Sequence, residues 1–266
     1  MGADGKSAEI GAIPLLTIEP DTDNAVVGSC FSLAVFPWLN FFYLEEKTMK
    51  KKLNLYWLAE SAVMIALAVV LELVAKMIIP EMPFGGQVTI VSMLPVILVG
   101  WKYGITKGLI TGFAYSLVEM LMGMKTVSAA FLPQDQDGLG ITGAILMLFL
   151  DYIVAFTVLG LGSMYKKAVK KNWLSLALGA FTVILLRYIA HIASGYILYG
   201  AWAEWFFSQE GFYSWGQTIL TKYSGKMLSL IYSIVYNGFF MIPELIATTI
   251  VAAIIGNIPQ ITKIRK

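Results

Sequence analysis

Two ionisable side chains lie one helical turn apart in an apolar stretch of the chain, residues 183–202. The stretch reads VILLRYIAHIASGYILYGAW, and as a helix it is long enough to cross a bilayer. It carries Arg187 and His191, and the latter is the only histidine of the sequence. Because charge inside a membrane span is costly, such residues usually line a polar cavity. A histidine that only bonds to a neighbouring helix is the alternative, but acids and aromatics at matching depths in other spans favour a binding site.

The composition indicates an integral membrane protein of the all-α class. Of the 266 residues, 58% are hydrophobic and 14% are charged, whereas soluble domains have about 25% charged residues. The apolar runs are longer than strands, so helices must satisfy the backbone in lipid. The single cysteine, Cys30, excludes a disulfide framework within the chain.

Residues 49–266 are expected to form one membrane-embedded unit of six transmembrane helices. Their predicted ranges are about 54–79, 88–103, 104–123, 139–165, 173–199 and 229–257. Pro95 is expected to kink the second span. Lysines and arginines concentrate at alternate ends of the spans, so the positive-inside rule predicts that both ends of this core are cytoplasmic.

Polar residues gather in the predicted outer half of this bundle. At a rise of about 1.5 Å per residue, His191 and Asn237 lie about 12 Å below the outer ends of their spans. Asp151 and Arg187 lie about 18 Å deep, and Glu119 lies near the outer rim. This distribution predicts a pocket that is open to the exterior, because a channel would need polar residues in the inner half as well.

The balance of charge predicts a cationic ligand. Glu119, Asp151 and Glu244 outnumber Arg187 in the deeper spans, and we expect one acid to pair with Arg187, because a pair is less costly than a lone charge. The remaining acids would favour a cation. Six tyrosine rings would add stacking and cation–π contacts, unless they only pack at the membrane interface. They are Tyr152, Tyr188, Tyr196, Tyr199, Tyr232 and Tyr236.

The first span carries two further patterns. Ala62 and Ala66 lie four residues apart, and small residues at this spacing let helices approach closely. They could pack within the bundle or dock on a partner helix. Glu72 and Lys76 also lie four residues apart, and we expect them to form a structural pair near the outer rim.

Three classes of enzyme are disfavoured, and neither a cofactor nor a nucleic-acid partner is expected. There is no phosphate loop for ATP hydrolysis. One histidine and no cysteine in the spans give no zinc set, so no metal site is expected. Ser194 follows His191 by three residues, but no third member completes a hydrolase triad.

The motifs RYIAHIASG at 187–195, LDY at 150–152 and YSIVYNG at 232–238 resemble those of a known transporter family. They are similar to the thiamine-specific substrate-binding subunits of energy-coupling factor vitamin transporters, and the resemblance covers about residues 53–258. It implies high-affinity capture of thiamine at the plasma membrane of a bacterium, within membrane lipid and without catalysis. The implied partners are a transmembrane coupling subunit and two ATPase subunits. A subunit for another vitamin or a thiamine precursor is the alternative, as is a stand-alone secondary transporter, although no internal repeat is visible.

The same resemblance implies the roles of particular residues. Asp151 would face the thiazolium cation, while ring stacking and hydrogen bonds would come from Tyr152, His191, Tyr232 and Asn237. Glu119, Tyr199 and Trp202 complete the predicted substrate site, and Ala62 and Ala66 match the motif that docks on the coupling subunit. Tyr232 and Asn237 lie about 140° apart on an ideal helix. Either the start of the sixth helix is unwound, or the two residues contact different ends of the ligand.

Residues 1–48 are expected to be an N-terminal extension that is disordered or lies upstream of the natural start. Met49 is followed by three lysines, as at an ordinary start with a cytoplasmic anchor. Glu45 and Glu46 can be encoded by a ribosome-binding site, and 19–28 by the core of a thiamine pyrophosphate riboswitch. An additional span over 25–44 is the alternative.

Overall fold

The computed structural model of the chain describes residues 55–80, 82, 86–133 and 137–262. Regular secondary structure in this part of the chain is entirely helical. The helices are α1 (Leu55–Ile78), α2 (Leu94–Tyr103), α3 (Ile105–Met122), α4 (Met124–Ala130), α5 (Gly140–Ser163), α6 (Asn172–Leu198), α7 (Ala203–Phe207), α8 (Tyr213–Lys222), α9 (Gly225–Gly256) and α10 (Pro259–Thr262). The predictions for residues 1–48 lie outside the described residues.

Four of these helices are long and apolar enough to cross a membrane, namely α1, α5, α6 and α9. Their bounds agree within about four residues with the predicted first, fourth, fifth and sixth spans. The third predicted span corresponds to α3, which has 18 residues. The arrangement of six spans with both ends in the cytoplasm stays a prediction.

The second predicted span is wrong in its first six residues, because α2 begins only at Leu94. Pro95 lies in the first helical turn, where its missing N–H removes no hydrogen bond. It therefore begins the helix and does not kink it. With 10 residues, α2 is about 15 Å long, too short to cross a bilayer alone.

Helix α5 changes its winding along its length. It begins as an α-helix over Gly140–Met147, passes through a π-helix over Leu148–Val154, and ends as a 3₁₀-helix over Val158–Ser163. The π segment contains Asp151, and π turns are frequent at functional sites. An α-helical periodicity drawn through this segment therefore misplaces the residues that follow it.

Helices α6 and α9 pack along each other, and together they form one wall of a cavity. Ser233 Oγ donates to the carbonyl of Ile192 across 2.7 Å, and Tyr188 Oη donates to the carbonyl of Ile234 across 2.7 Å. Gly195 permits this approach, since a Cβ there would collide with the Ser233 hydroxyl. The two helices are therefore held in a fixed register at the level of His191.

Candidate ligand-binding site

A cavity lies among α1, α3, α5, α6, α9 and the segment that leads into α2. Its lining combines carboxylates, an arginine, a lysine and a histidine with several aromatic rings. The residues used below are Glu72, Lys76, Gly86, Gln87, Thr89, Tyr115, Glu119, Asp151, Tyr152, Phe156, Arg187, His191, Ser194, Tyr199, Tyr232, Tyr236, Asn237 and Phe240.

Asp151, in the π segment of α5, is held by two side chains of α6. Its Oδ1 lies 2.7 Å from His191 Nδ1, and its Oδ2 accepts a hydrogen bond from Ser194 Oγ across 2.5 Å. Arg187 Nε donates to His191 Nε2 across 3.2 Å. Because Nε2 accepts this bond, the proton of a neutral ring must lie on Nδ1, which then donates to Asp151. With this tautomer, Asp151 accepts from a neutral imidazole and from a hydroxyl, and no lysine or arginine of the described residues lies within ion-pair distance of its carboxyl group.

Arg187 does not pair with an acid, contrary to the prediction. No carboxylate of the described residues lies within ion-pair distance of its guanidinium. The group instead lies 4.1 Å from the ring centroid of Phe156 and contacts Met93 Sδ and His191. Its charge is therefore stabilised by a ring face and by neutral acceptors.

Glu244 is not available to Arg187 because it binds the backbone before α2. One carboxylate oxygen accepts from Thr89 N at 3.0 Å, and the other accepts from Val91 N at 3.0 Å and from Thr248 Oγ1 at 2.9 Å. Ile90 and Val91 have positive φ angles of 43° and 67°, and this turn brings the N–H groups of Thr89 and Val91 toward one carboxylate. Glu244 thus fixes the segment that borders the cavity against α9.

Sequence comparison places the chain among known transporters. The chain matches the thiamine transporter protein family (Thia_YuaJ) over residues 58–263. It is 30% identical over 216 residues to the thiamine transporter ThiT of Bacillus subtilis (strain 168), which covers 78% of this chain and 93% of that protein. The chain belongs to the thiamine transporter protein family.

A solved structure of ThiT from Listeria monocytogenes has the same fold. The TM-score is 0.54 at 20% sequence identity, and the match covers 79% of this chain and 98% of that one. The resemblance inferred from the motifs around His191, Asp151 and Asn237 is therefore confirmed at the level of the family.

In this member of the thiamine transporter family, seven of the eight predicted substrate residues line one cavity. They are Glu119, Asp151, Tyr152, His191, Tyr199, Tyr232 and Asn237. The eighth, Trp202, is not part of that lining and packs with its ring 5.7 Å from the ring of Tyr199. It lies behind a lining residue, where it can support the position of the Tyr199 ring.

Aromatic rings cover much of the remaining wall. Tyr232, Tyr236 and Phe240 follow one another at four-residue intervals on α9, with ring centroids 5.6 Å and 6.2 Å apart. On α5, Tyr152 stacks on Phe156 at 6.3 Å. These ring faces can receive a flat cationic ligand beside the Asp151 carboxylate.

Helix α9 is continuous through Tyr232 and Asn237, so unwinding at its start, one of the two predicted alternatives, is excluded. Asn237 Nδ2 donates to the carbonyls of His191 at 3.2 Å and Ser233 at 2.9 Å. Both predicted residues still line the cavity. Since Tyr232 and Asn237 lie at different angles around one regular helix, they face different parts of the cavity.

The sequence analysis missed the role of the α1 pair. Glu72 and Lys76 do form an ion pair, with 2.7 Å between Lys76 Nζ and Glu72 Oε1. However, both residues also line the cavity, together with Tyr115 and Gln87. The sequence did contain a signal for this role of Glu72. It is an acid in an apolar span, and its distance from the outer end of that span is similar to the distance of Glu119 from the outer end of the third span.

The described residues contain no cluster of three histidine, cysteine, aspartate or glutamate side chains that could hold a metal ion. The polar groups of the cavity are instead arranged as separate donors and acceptors. Such an arrangement suits an organic ligand with several polar atoms.

Proposed function

We propose that this chain captures thiamine from outside a bacterial cell as the substrate-binding subunit of an energy-coupling factor transporter. The observation that carries the proposal is the Asp151 carboxylate, which is bound by neutral donors within a cavity walled by tyrosine and phenylalanine rings. Thiamine joins a cationic thiazolium ring to an aminopyrimidine ring. A carboxylate without a compensating cation, beside aromatic faces, matches the first of these rings.

The proposed residue roles follow from the positions in the cavity. Asp151 faces the thiazolium cation, and His191 and Ser194 hold Asp151 in place. Tyr152, Tyr199 and Tyr232 provide ring faces. Asn237 orients the wall of α9 through its bonds to the backbone of His191 and Ser233.

Transport is proposed to depend on partners in the plasma membrane, namely a transmembrane coupling subunit and two ATPase subunits. Ala62 and Ala66, the proposed docking residues, are both exposed on α1. Exposure supports docking over packing within the bundle, because an internal contact would bury these methyl groups.

Calorimetry of the purified full-length protein tests the binding step. The chain should bind thiamine more tightly than thiamine phosphates and should not bind riboflavin. If the chain binds riboflavin tightly and does not bind thiamine, it is instead assigned to another vitamin. Uptake assays in cells with and without the coupling module test the transport step, since a stand-alone transporter would not need that module.

A further inference from the structure

A group of lysines and aromatic rings lies at the end of the bundle opposite the cavity. At this end α1 begins, α2 ends, α3 begins, and the chain passes from α5 to α6. Glu60 of α1 lies about 18 Å along the helix from Glu72 of the cavity. Among the described residues, this end carries six lysines and a single carboxylate, that of Glu60. The lysines are Lys102, Lys107, Lys166, Lys167, Lys170 and Lys171.

The carboxylate of Glu60 has both of its oxygens occupied within this group. Its Oε1 pairs with Lys102 Nζ, and its Oε2 accepts a hydrogen bond from Tyr103 Oη across 2.5 Å. Lys166 Nζ donates instead to the carbonyls of Trp101 and Lys102 at the end of α2, across 2.9 Å and 3.3 Å. Burial and the nearby charge of Lys102 lower the pKa of Lys166. Glu60 therefore compensates one lysine, and this end keeps an excess of positive charge.

Lys107, at the start of α3, is held by aromatic rings and not by an acid. No carboxylate of the part of the chain that the structure describes lies within ion-pair distance of its ammonium. The ammonium lies 5.4 Å from the ring centroid of Trp57 and 5.6 Å from that of Tyr103. Ring faces hold a cation in place without neutralising it. Because Lys107 is only partly buried, an anion can approach it from the surface.

An apolar stripe on α3 begins next to Lys107 and runs toward the other end of the helix. Its members follow one another at intervals of three or four residues, so they share one side of the helix with Lys107. All of them are exposed, namely Ile110, Phe113, Leu117 and Leu121. Tryptophan and tyrosine rings prefer the boundary between hydrocarbon and headgroups. The rings around Lys107 therefore place its ammonium at headgroup level, and the stripe lies against acyl chains.

We propose that Lys107, between the rings of Trp57 and Tyr103, binds the headgroup of an anionic phospholipid. The lipid phosphate pairs with the ammonium, and an acyl chain lies along the apolar stripe of α3. Basic pockets between transmembrane helices bind anionic headgroups in this way. An acidic segment of a soluble protein would match the lysine but not the apolar stripe. The site lies apart from the cavity and does not depend on which ligand the cavity binds.

Native mass spectrometry of the full-length protein in detergent tests the site. The protein is titrated with phosphatidylglycerol and with phosphatidylcholine that carries the same acyl chains. The wild-type protein should bind phosphatidylglycerol more tightly. Lys107→Gln should weaken this binding roughly five-fold, the effect of one lysine near an anionic membrane surface, and should leave phosphatidylcholine binding unchanged. Glycerol phosphate, which has the phosphate but no acyl chains, should not compete with phosphatidylglycerol.

Two matched variants complete the experiment. Lys107→Arg keeps the charge and the contacts with the rings, so it should retain the affinity for phosphatidylglycerol. Lys125→Gln removes an exposed lysine of α4, which is not part of this group, and should also retain it. Equal losses in the two glutamine variants would overturn the site, because net charge alone would then explain them. Equal binding of both lipids by the wild type would overturn it as well. Full competition by glycerol phosphate would assign Lys107 to a soluble anion and not to a lipid.

Discussion

Arg187 Nε donates a hydrogen bond to His191 Nε2 across 3.2 Å, so a permanent cation selects the tautomer of the histidine in the cavity. The proton of the neutral ring must then lie on Nδ1, which faces Asp151. The two α6 residues lie four positions apart and share one helix face. We propose that the two residues position Asp151 in this arrangement.

The first prediction follows from this tautomer control. Arg187→Met removes the donor to Nε2 and leaves the histidine free to rotate or to change tautomer. Thiamine binding should weaken by about 1–3 kcal/mol, the scale of a hydrogen bond to a charged group. Isothermal titration calorimetry of the purified variant measures this loss.

Arg187→Lys is the matched variant for this prediction. A lysine at this position keeps the positive charge and an N–H donor within reach of Nε2. It should retain most of the affinity for thiamine. An equal loss in the lysine and methionine variants would show that packing of the guanidinium on Phe156, and not the bond to His191, is what matters.

The second prediction concerns the charge of Asp151. Asp151→Asn keeps a polar group in the π segment but removes the negative charge next to the proposed thiazolium position. Binding of thiamine should weaken by about 1–3 kcal/mol, whereas an uncharged thiamine analogue should lose much less. Competition binding with both ligands measures the difference.

Ser194→Ala provides the comparison for Asp151. It removes the 2.5 Å hydrogen bond from Ser194 Oγ to the Asp151 carboxylate and keeps the charge of Asp151. The charged and uncharged ligands should then be affected alike. If Asp151→Asn also affects both ligands alike, Asp151 acts only as a partner of His191 and Ser194.

The sequence predicts the long helices and the depth of the polar groups, because both depend on run length and helix rise. It places His191 and Asp151 in one cavity, and the structure brings them within 2.7 Å of each other. It does not predict the partner of Arg187. The helix rise gives the depth of a residue but not its direction, and the π segment changes the direction of Asp151 relative to an α-helical pattern.

The role of Glu244 could not be predicted for a related reason. Its partners are backbone N–H groups of Thr89 and Val91, and they converge only because Ile90 and Val91 adopt positive φ angles. Non-glycine residues in this conformation are rare. Because the run 88–103 is apolar and neither Ile90 nor Val91 is a glycine, the sequence predicts a regular helix there.

A third prediction tests the close contact among α2, α3 and the end of α5. A Cβ on Gly160 would collide with the backbone of Gly108, and one on Gly100 would collide with Gly160. Gly160→Ala should lower the stability by about 1–3 kcal/mol, as expected for overpacking. Thermal unfolding in detergent measures this change.

Gly211→Ala is the matched control for Gly160. No atom lies within 4 Å of a Cβ at Gly211, so the melting temperature should stay near that of the wild type. Equal melting temperatures for the two variants would mean that the helices can separate at Gly160 without loss of stability.

The last prediction separates capture from transport through the exposed alanines of α1. Ala62→Trp combined with Ala66→Trp should leave thiamine affinity unchanged, because neither residue lines the cavity. Thiamine uptake by cells should collapse. The reason is close approach: a large side chain holds two helices apart, and in lipid no hydrophobic effect replaces the lost packing. Binding is measured on purified protein, and uptake is measured with the coupling module present.

The control is Leu67→Trp combined with Val74→Trp. These two residues are also exposed on α1, but they lie roughly 80–140° around the helix from the alanines. Uptake should persist in this variant, because the same bulk then faces away from the proposed coupling subunit. Co-purification of the coupling subunit gives a second readout that does not depend on ATP hydrolysis.

Loss of thiamine binding in the variant with both alanines replaced would instead assign Ala62 and Ala66 to the packing of the bundle, because a pure docking face has no influence on a cavity it does not line.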